Sequence, residues 1–266
     1  MKYSILDFQK DFPNDDTCLE YIFQKKNPNH KGWYRVAGRK AYANAEGKQI
    51  YPLAGSIFEK SDTSLVKWFY AIYLFSTHKN GVSAKTLQTE LKVTYKTAWR
   101  IGHSIRNLME QGGGKLSGVV EADETYIGGY KKGGMGGKGK TPIIGIVERG
   151  GAVRAKVSKR ETHLILNHIK DNVKKGTTVF SDQFGVYAKA KKLGYAHDSI
   201  NHWKKEFARN DVHTNTIEGF WSQLKRSING TYHAVSPKHL QAYVDEFAFR
   251  YSHRSLPVFE TLMARI

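Results

Sequence analysis

The segment GVVEADETYIGG, residues 118–129, decides the architecture of this chain together with TPIIGIVERG (141–150), GAVRAKVSK (151–159) and TTVFSD (177–182). Each is a short run rich in Val, Ile, Thr or Phe, and glycines punctuate the first three. That is the signature of strands in a sheet. Between the third and fourth runs, the spacing of apolar residues predicts a helix from about Thr162 to Val173. Three strands in succession, a helix and then another strand make an α/β chain with a mixed sheet.

Working outward, a weaker strand is expected around HDSIN (197–201), and a strong helix starts near Asn215. This order is that of an RNase H-like mixed sheet with flanking helices. Upstream, QGGGKLSG (111–118) has the composition of a linker. Before it, VSAKTLQTELKVTYKTAWRIGHSIRNLME (82–110) reads as helix, tight turn, helix. Ser83 is placed to cap the first helix, with Leu87 and Leu91 on its buried face. Ala98, Ile101, Ile105 and Leu108 turn inward from the second. In a DNA-binding helix-turn-helix the start of the second helix enters the major groove, and here it offers Thr94, Tyr95, Lys96, Thr97 and Arg100. An ordinary helical hairpin with a basic outer face has the same pattern. Residues 1–60 alternate aromatics (Trp33, Tyr34, Tyr42, Tyr51, Phe58) with glycine and lysine, which suggests short strands in a small sheet. The expected division is therefore 1–60, 61–112 and 113–266.

Lysine and arginine number 42 against 24 aspartates and glutamates, a net charge of +18. Such a balance points to a polyanionic partner, with nucleic acid the first candidate. The one cysteine, Cys18, excludes an internal disulfide and fits a reducing cytoplasm. The longest apolar run, Leu65 to Phe75, falls well short of the roughly 20 residues needed to span a bilayer. A cytoplasmic, nucleoid-associated bacterial protein is the expectation.

Three acids fall where this topology converges. Asp123 is in the first strand, Asp182 at the end of the fourth and Glu218 in the late helix. Phosphodiester chemistry with two divalent ions needs such a cluster of carboxylates, because hard cations take oxygen ligands. In the late helix Ile217, Phe220, Trp221, Leu224 and Ile228 follow helical spacing, leaving Glu218, Ser222 and Lys225 on a polar face. Lys225 is followed by Arg226, so a carboxylate for metal and cations for phosphate share one helix. A solvated face of a surface helix has the same composition. Glu121 shares the side of Asp123 by strand alternation, whereas Glu124 should turn away.

Several segments resemble the DDE-type insertion-sequence transposases, in particular the group with an N-terminal zinc ribbon, a helix-turn-helix and an RNase H-like catalytic domain. They are AGSIFEKSDTSLVKWFYAIYL (54–74), LKVTYKTAWR (91–100), VEADETYIGG (120–129), VFSDQFGVY (179–187), HTNTIEGFWSQLKRSINGTYH (213–233) and HLQAYVDEFAFRYSHR (239–254). The 35 residues between Asp182 and Glu218, and a lysine seven residues after the glutamate, are further shared traits. The resemblance implies an enzyme that cleaves phosphodiesters at transposon ends and joins the 3′-hydroxyls to target DNA. It implies two Mg²⁺ or Mn²⁺ ions held by Asp123, Asp182 and Glu218, with Lys225 and Arg226 on DNA. A homodimer or higher oligomer assembled on the DNA is implied as well. Relatives carry either glutamate or asparagine at the third position, so Asn215, three residues before Glu218, stays open as the alternative.

One feature departs from the family. A zinc ribbon needs two pairs of cysteines, so residues 1–60 are expected to form a degenerate ribbon without structural zinc, held by aromatic packing. Two other functions share much of this pattern: a nuclease on the same fold, and a non-catalytic DNA-binding regulator that keeps the helix-turn-helix. The glycine-lysine stretch 128–140 is either a plain strand connection or a basic loop that closes on a DNA backbone.

Overall fold

A computed structural model of the chain describes residues 3–128, 139–182, 185–200 and 208–266. Most of the glycine-lysine stretch lies outside these residues. The chain forms two compact units, one of residues up to Leu108 together with Ser255–Ile266, the other Met109–Arg254. No helix among the described residues is long and apolar enough to cross a membrane.

The first unit opens with helices α1 (Ile5–Asp11) and α2 (Asp15–Lys26), where sequence periodicity suggested only strands. Their signals are local caps. Ser4 and Asp7 form a reciprocal capping box, and Asn14 and Thr17 repeat it. The expected small sheet follows, reduced to the two-residue strands β1 (Tyr34–Arg35), β2 (Tyr42–Ala43) and β3 (Gln49–Ile50). Aromatic rings hold it down: Tyr42 stacks on Phe23 with centroids 3.7 Å apart. Cys18 is fully buried in α2, and that burial pushes its thiol up to about 12.

Helices α3 (Leu65–Thr77), α4 (Ala84–Leu91) and α5 (Tyr95–Leu108) pack together, and α10 (Val258–Met263) closes on α3. Ser83 caps α4 by accepting from the Thr86 N–H at 3.0 Å, and Lys92 takes the left-handed conformation that ends it. Leu87, Leu91, Ala98, Ile101 and Ile105 are buried, which makes α4, the short turn and α5 one packed unit.

In the second unit the sheet has strand order β6-β5-β4-β7-β8, comprising β4 (Val119–Ile127), β5 (Thr141–Glu148), β6 (Val153–Val157), β7 (Thr178–Asp182) and β8 (Ala196–Ile200). The first three pair antiparallel as a meander, whereas β7 joins β4, and β8 joins β7, in parallel. The mixed five-stranded sheet with helices on both faces is consistent with the RNase H-like expectation. One face packs α6 (Thr162–Asn172) and α7 (Gly185–Ala188) through Ile165, Ile169, Val186 and Tyr187 against Val120, Ala122 and Ile144. The other packs α8 (Asn215–Ser227) and α9 (Leu240–Ser252) through Ile217, Phe220, Trp221, Leu224, Val244 and Phe247 against Ile127, Ile143 and Val147.

Strand β6 lies at an edge of the sheet, and unpaired edge N–H and C=O groups invite pairing with another chain. Side chains occupy them here. Val153 N–H donates to Ser252 Oγ, Ala155 N–H to Gln111 Oε1 at 2.7 Å, and Val157 N–H to Gln241 Oε1 at 2.7 Å. Gln111 also donates to the Ala155 carbonyl at 2.6 Å, copying both bonds of a strand neighbour. Replacing Gln111 with alanine should therefore cost about 1–3 kcal/mol in urea unfolding and raise concentration-dependent light scattering. Unchanged stability and scattering would mean that the edge does not depend on this amide.

Candidate active site

Strand β4 runs through the middle of the sheet, and its parallel pairing with β7 extends as far as Ala122 opposite Ser181. One step further come Asp123 and Asp182, at the carboxyl end of β7. Among the described residues, ligand oxygens of Asp123, Glu124 and Asp182 lie within 4.8 Å of one another. The topology thus unites two of the expected acids, and it adds Glu124.

The position of Glu124 corrects the expectation drawn from alternation. It does start from the side of α6 and α7, where Arg160 sits 3.4 Å from its carboxylate and the buried Tyr187 is a neighbour. Its carboxylate nevertheless reaches the cluster. Glutamate is long, and the β7 pairing stops just short of this point, so side chains from both faces of β4 can lean into one edge.

Burial, with the neighbouring carboxylates of Glu124 and Asp182, pushes Asp123 up to about 7, and burial also raises Glu124. Three carboxylates this close cannot all ionise comfortably without a cation. The donor set is all oxygen and suits a hard divalent ion. By chemistry and by charge, these residues fit the metal that the resemblance implies.

Asp123 is oriented from the opposite face. The Trp221 indole N–H on α8 donates to its Oδ2 at 3.1 Å. Room for that ring comes from Gly145, which faces Asp123 across the β4–β5 ladder. A Cβ there would collide with the Trp221 ring and crowd Ile217 at 3.2 Å.

Glu218 projects from α8 as an exposed residue outside the three-carboxylate group, and it accepts from Thr214 Oγ1 at 2.6 Å. Asn215 is exposed at the first position of the same helix, and Ser222, Lys225 and Arg226 are exposed further along. The polar face read from the sequence is present, with Glu218 hydrogen-bonded inside its own helix turn.

A comparison with protein families matches residues 115–252 to the ISXO2-like transposase domain. That span is more than half of the chain. The protein belongs to this transposase family. The ISXO2-like domain thus contains the whole carboxylate cluster, the sheet and α8. Among curated proteins, the chain is 27% identical over 241 residues to an uncharacterized protein in the transposable element ISH50 of Halobacterium salinarum, covering 82% of this chain and 80% of that one. It is 27% identical over 92 residues to an uncharacterized transposase-like protein of Haemophilus influenzae, covering 35% of this chain and 73% of the other. Among solved structures, a chain of a simian T-cell lymphotropic virus intasome complex with a PP2A regulatory subunit aligns with a TM-score of 0.33 at 14% identity. That alignment covers 60% of this chain and 63% of the other, and at this level it carries no structural argument.

On the first unit, the residues expected to meet DNA divide. Tyr95 and Lys96 are exposed at the start of α5. Thr94 and Thr97 share a hydroxyl contact at 3.0 Å, and Thr94 Oγ1 accepts from the Thr97 N–H, so these two cap the helix. Arg100, exposed like Tyr95 and Lys96, packs over the Trp68 ring at 5.5 Å and donates to Ser61 at 3.3 Å. Trp99 is also exposed on this helix.

Two residues of the ISXO2-like domain carried signals that could have been found. A buried indole N–H needs an acceptor, so a tryptophan three residues from a candidate acid deserved that question. Glycine inside a strand marks a close approach, which Gly145 makes with Trp221. Gly145→Ala should therefore displace Trp221 and release Asp123, at a stability cost of about 1–3 kcal/mol from overpacking. Indole fluorescence and DNA cleavage should both change. A variant with native fluorescence and full cleavage would show that Trp221 does not orient Asp123.

Proposed function

We propose that this transposase cleaves phosphodiester bonds at transposon ends and joins the freed 3′-hydroxyls to target DNA, using two Mg²⁺ or Mn²⁺ ions. The convergence of Asp123, Glu124 and Asp182 within 4.8 Å supports this reading most directly. Asp123, Asp182 and Glu218 hold the metals, and Glu124 adds a further oxygen to the cluster. When bound, the divalent ions polarise the scissile phosphate and stabilise charge on the attacking and leaving oxygens. The chain's own task is to keep the carboxylates close and oriented. Trp221 holds Asp123 at one oxygen, and Arg160 balances the charge of Glu124.

Glu218 becomes the third acid when its side chain leaves Thr214 and turns to the cluster, a change of rotamer within one helical turn. Asn215 is the competing assignment, since it lies at the start of the same helix. Lys225 and Arg226, exposed on the last turn of α8, bind the DNA backbone beside the cluster. They add electrostatic affinity, in keeping with the chain's +18 charge.

The pair α4 and α5 is a helix-turn-helix that reads the transposon ends through Tyr95 and Lys96. The protein works as a homodimer or higher oligomer on two ends, bound to the nucleoid. Residues 1–60 are a degenerate zinc-ribbon-like region that needs no zinc.

Single-turnover cleavage of a labelled end with Mg²⁺ tests the site. Asp123→Ala and Asp182→Ala should fold and lose activity, and so should Glu218→Ala. If Asn215→Ala abolishes cleavage while Glu218→Ala retains it, the third acid is not Glu218. A supercoiled plasmid supplied with pre-cut ends should yield joined product; cleavage without joining would make the protein a nuclease.

The end-reading role of α5 has its own measurement. Lys96→Gln should weaken end binding and lower the slope of log affinity against log salt by about 1. Binding unaltered in both respects would move recognition away from α5.

A further inference from the structure

A helix begins with N–H groups that lack partners inside the helix, and a side-chain oxygen of the N-cap residue usually meets those of the second and third residues. Helix α8 departs from this. Its N-cap residue, Thr214, makes no such bond, because its hydroxyl is turned to Glu218. The acceptor comes instead from strand β4. Glu121 Oε2 accepts from the N–H groups of Thr216 at 2.8 Å and Ile217 at 3.0 Å.

Glu121 is fully buried, and an unpaired buried carboxylate would be very costly. Its other oxygen accepts from Thr216 Oγ1 at 2.8 Å and Arg149 Nε at 2.7 Å, with the His213 ring nitrogen 3.2 Å away. Arg149 also donates to the His213 carbonyl, just before the helix. The carboxylate is thus held from the sheet and holds α8 at its first turn.

A second tie joins the same two elements. Two residues along β4, Asp123 receives the Trp221 indole N–H. Two residues of strand advance about 6.7 Å, and the four or five residues from Ile217 or Thr216 to Trp221 advance about 6–7.5 Å along a helix. The two ties are commensurate. Sliding α8 by one turn, about 5.4 Å, would break both. Glu218 lies between the two points of attachment.

We propose that Glu121 is a positioning residue: by capping α8 from strand β4 it fixes the axial position of Glu218 relative to Asp123. This rests on the reading of Glu218 as the third acid. It assigns Glu121 a role distinct from metal binding, since its oxygens are taken up by α8 and Arg149. The Thr214 hydroxyl donates to the Glu218 carboxylate instead of capping the helix, and Glu218 leaves it on turning to the cluster.

The test is Mn²⁺ titration of the full chain by electron paramagnetic resonance, run with single-turnover cleavage on Glu121→Gln, Glu218→Gln and the double variant. Glutamine keeps one acceptor oxygen, but its amide cannot accept from the remaining donors. Glu121→Gln should weaken Mn²⁺ binding and slow cleavage by about 10- to 100-fold, as loss of outer-sphere support does. In the Glu218→Gln background it should add almost nothing. Thr216→Val, which removes only the hydroxyl donor, should show the same pattern at several-fold and serves if Glu121→Gln does not fold. Native Mn²⁺ affinity and cleavage in Glu121→Gln or Thr216→Val, with only the melting temperature lowered, would overturn the proposal, as would equal losses with and without Glu218. If Glu218→Gln itself changes neither readout, it is the assignment of the third acid that fails, and the proposal falls with it.

Discussion

A carboxylate taken wholly out of water must find its donors in the protein, and Glu121 finds four of them: two helix N–H groups, one hydroxyl and one guanidinium. The second unit is organised around that requirement. Because the donors belong to α8 and to Arg149 just after β5, satisfying the carboxylate ties the late helix to the central strand. Asp123 emerges two residues further along the same strand, so the element that bears an acid also fixes the helix that crosses it.

The first unit solves an equivalent problem in the same way. Helix α3 has Ser64 at its N-cap with no side-chain capping bond, and Asp15 of α2 accepts from Ser64 Oγ at 2.6 Å and Val66 N–H at 3.0 Å. These bonds hold the Asp15 carboxyl below its usual range against the opposing effect of burial. Capping by a carboxylate from a neighbouring element ties tertiary packing to the helix dipole, because the negative charge is favoured at the N-terminus. A cap contributed by another element makes a helix start in one place only when both elements are folded.

Electrostatic frustration then separates the cluster from its surroundings. Glu121 is surrounded by donors, whereas Asp123, Glu124 and Asp182 bring carboxylate oxygens within 4.8 Å of one another. Acids within three positions of one another on β4 therefore have different surroundings, set by what covers them. The family assignment to an ISXO2-like transposase domain agrees with a cluster suited to divalent cations.

The sequence alone determined the order of the strands β4 to β8 and of helices α6 and α8, because alternation, glycine punctuation and apolar helical spacing are local, and it determined α4 and α5 through the same helical spacing. It also marked Asp123 and Asp182, since acids at strand ends stand out against apolar neighbours. Apolar spacing did not reveal α1 and α2, whose local signals are capping boxes instead, and the sequence did not determine the inclusion of Glu124, which depends on where β7 stops beside β4. The α8 partners of Glu121, and the partner of Trp221, are separated from them by 95 to 98 residues, and no local pattern encodes such pairs. Only the tertiary structure decided them, because a buried charge and a buried indole are satisfied by whichever donors and acceptors the packing of α8 on the sheet brings within about 3 Å.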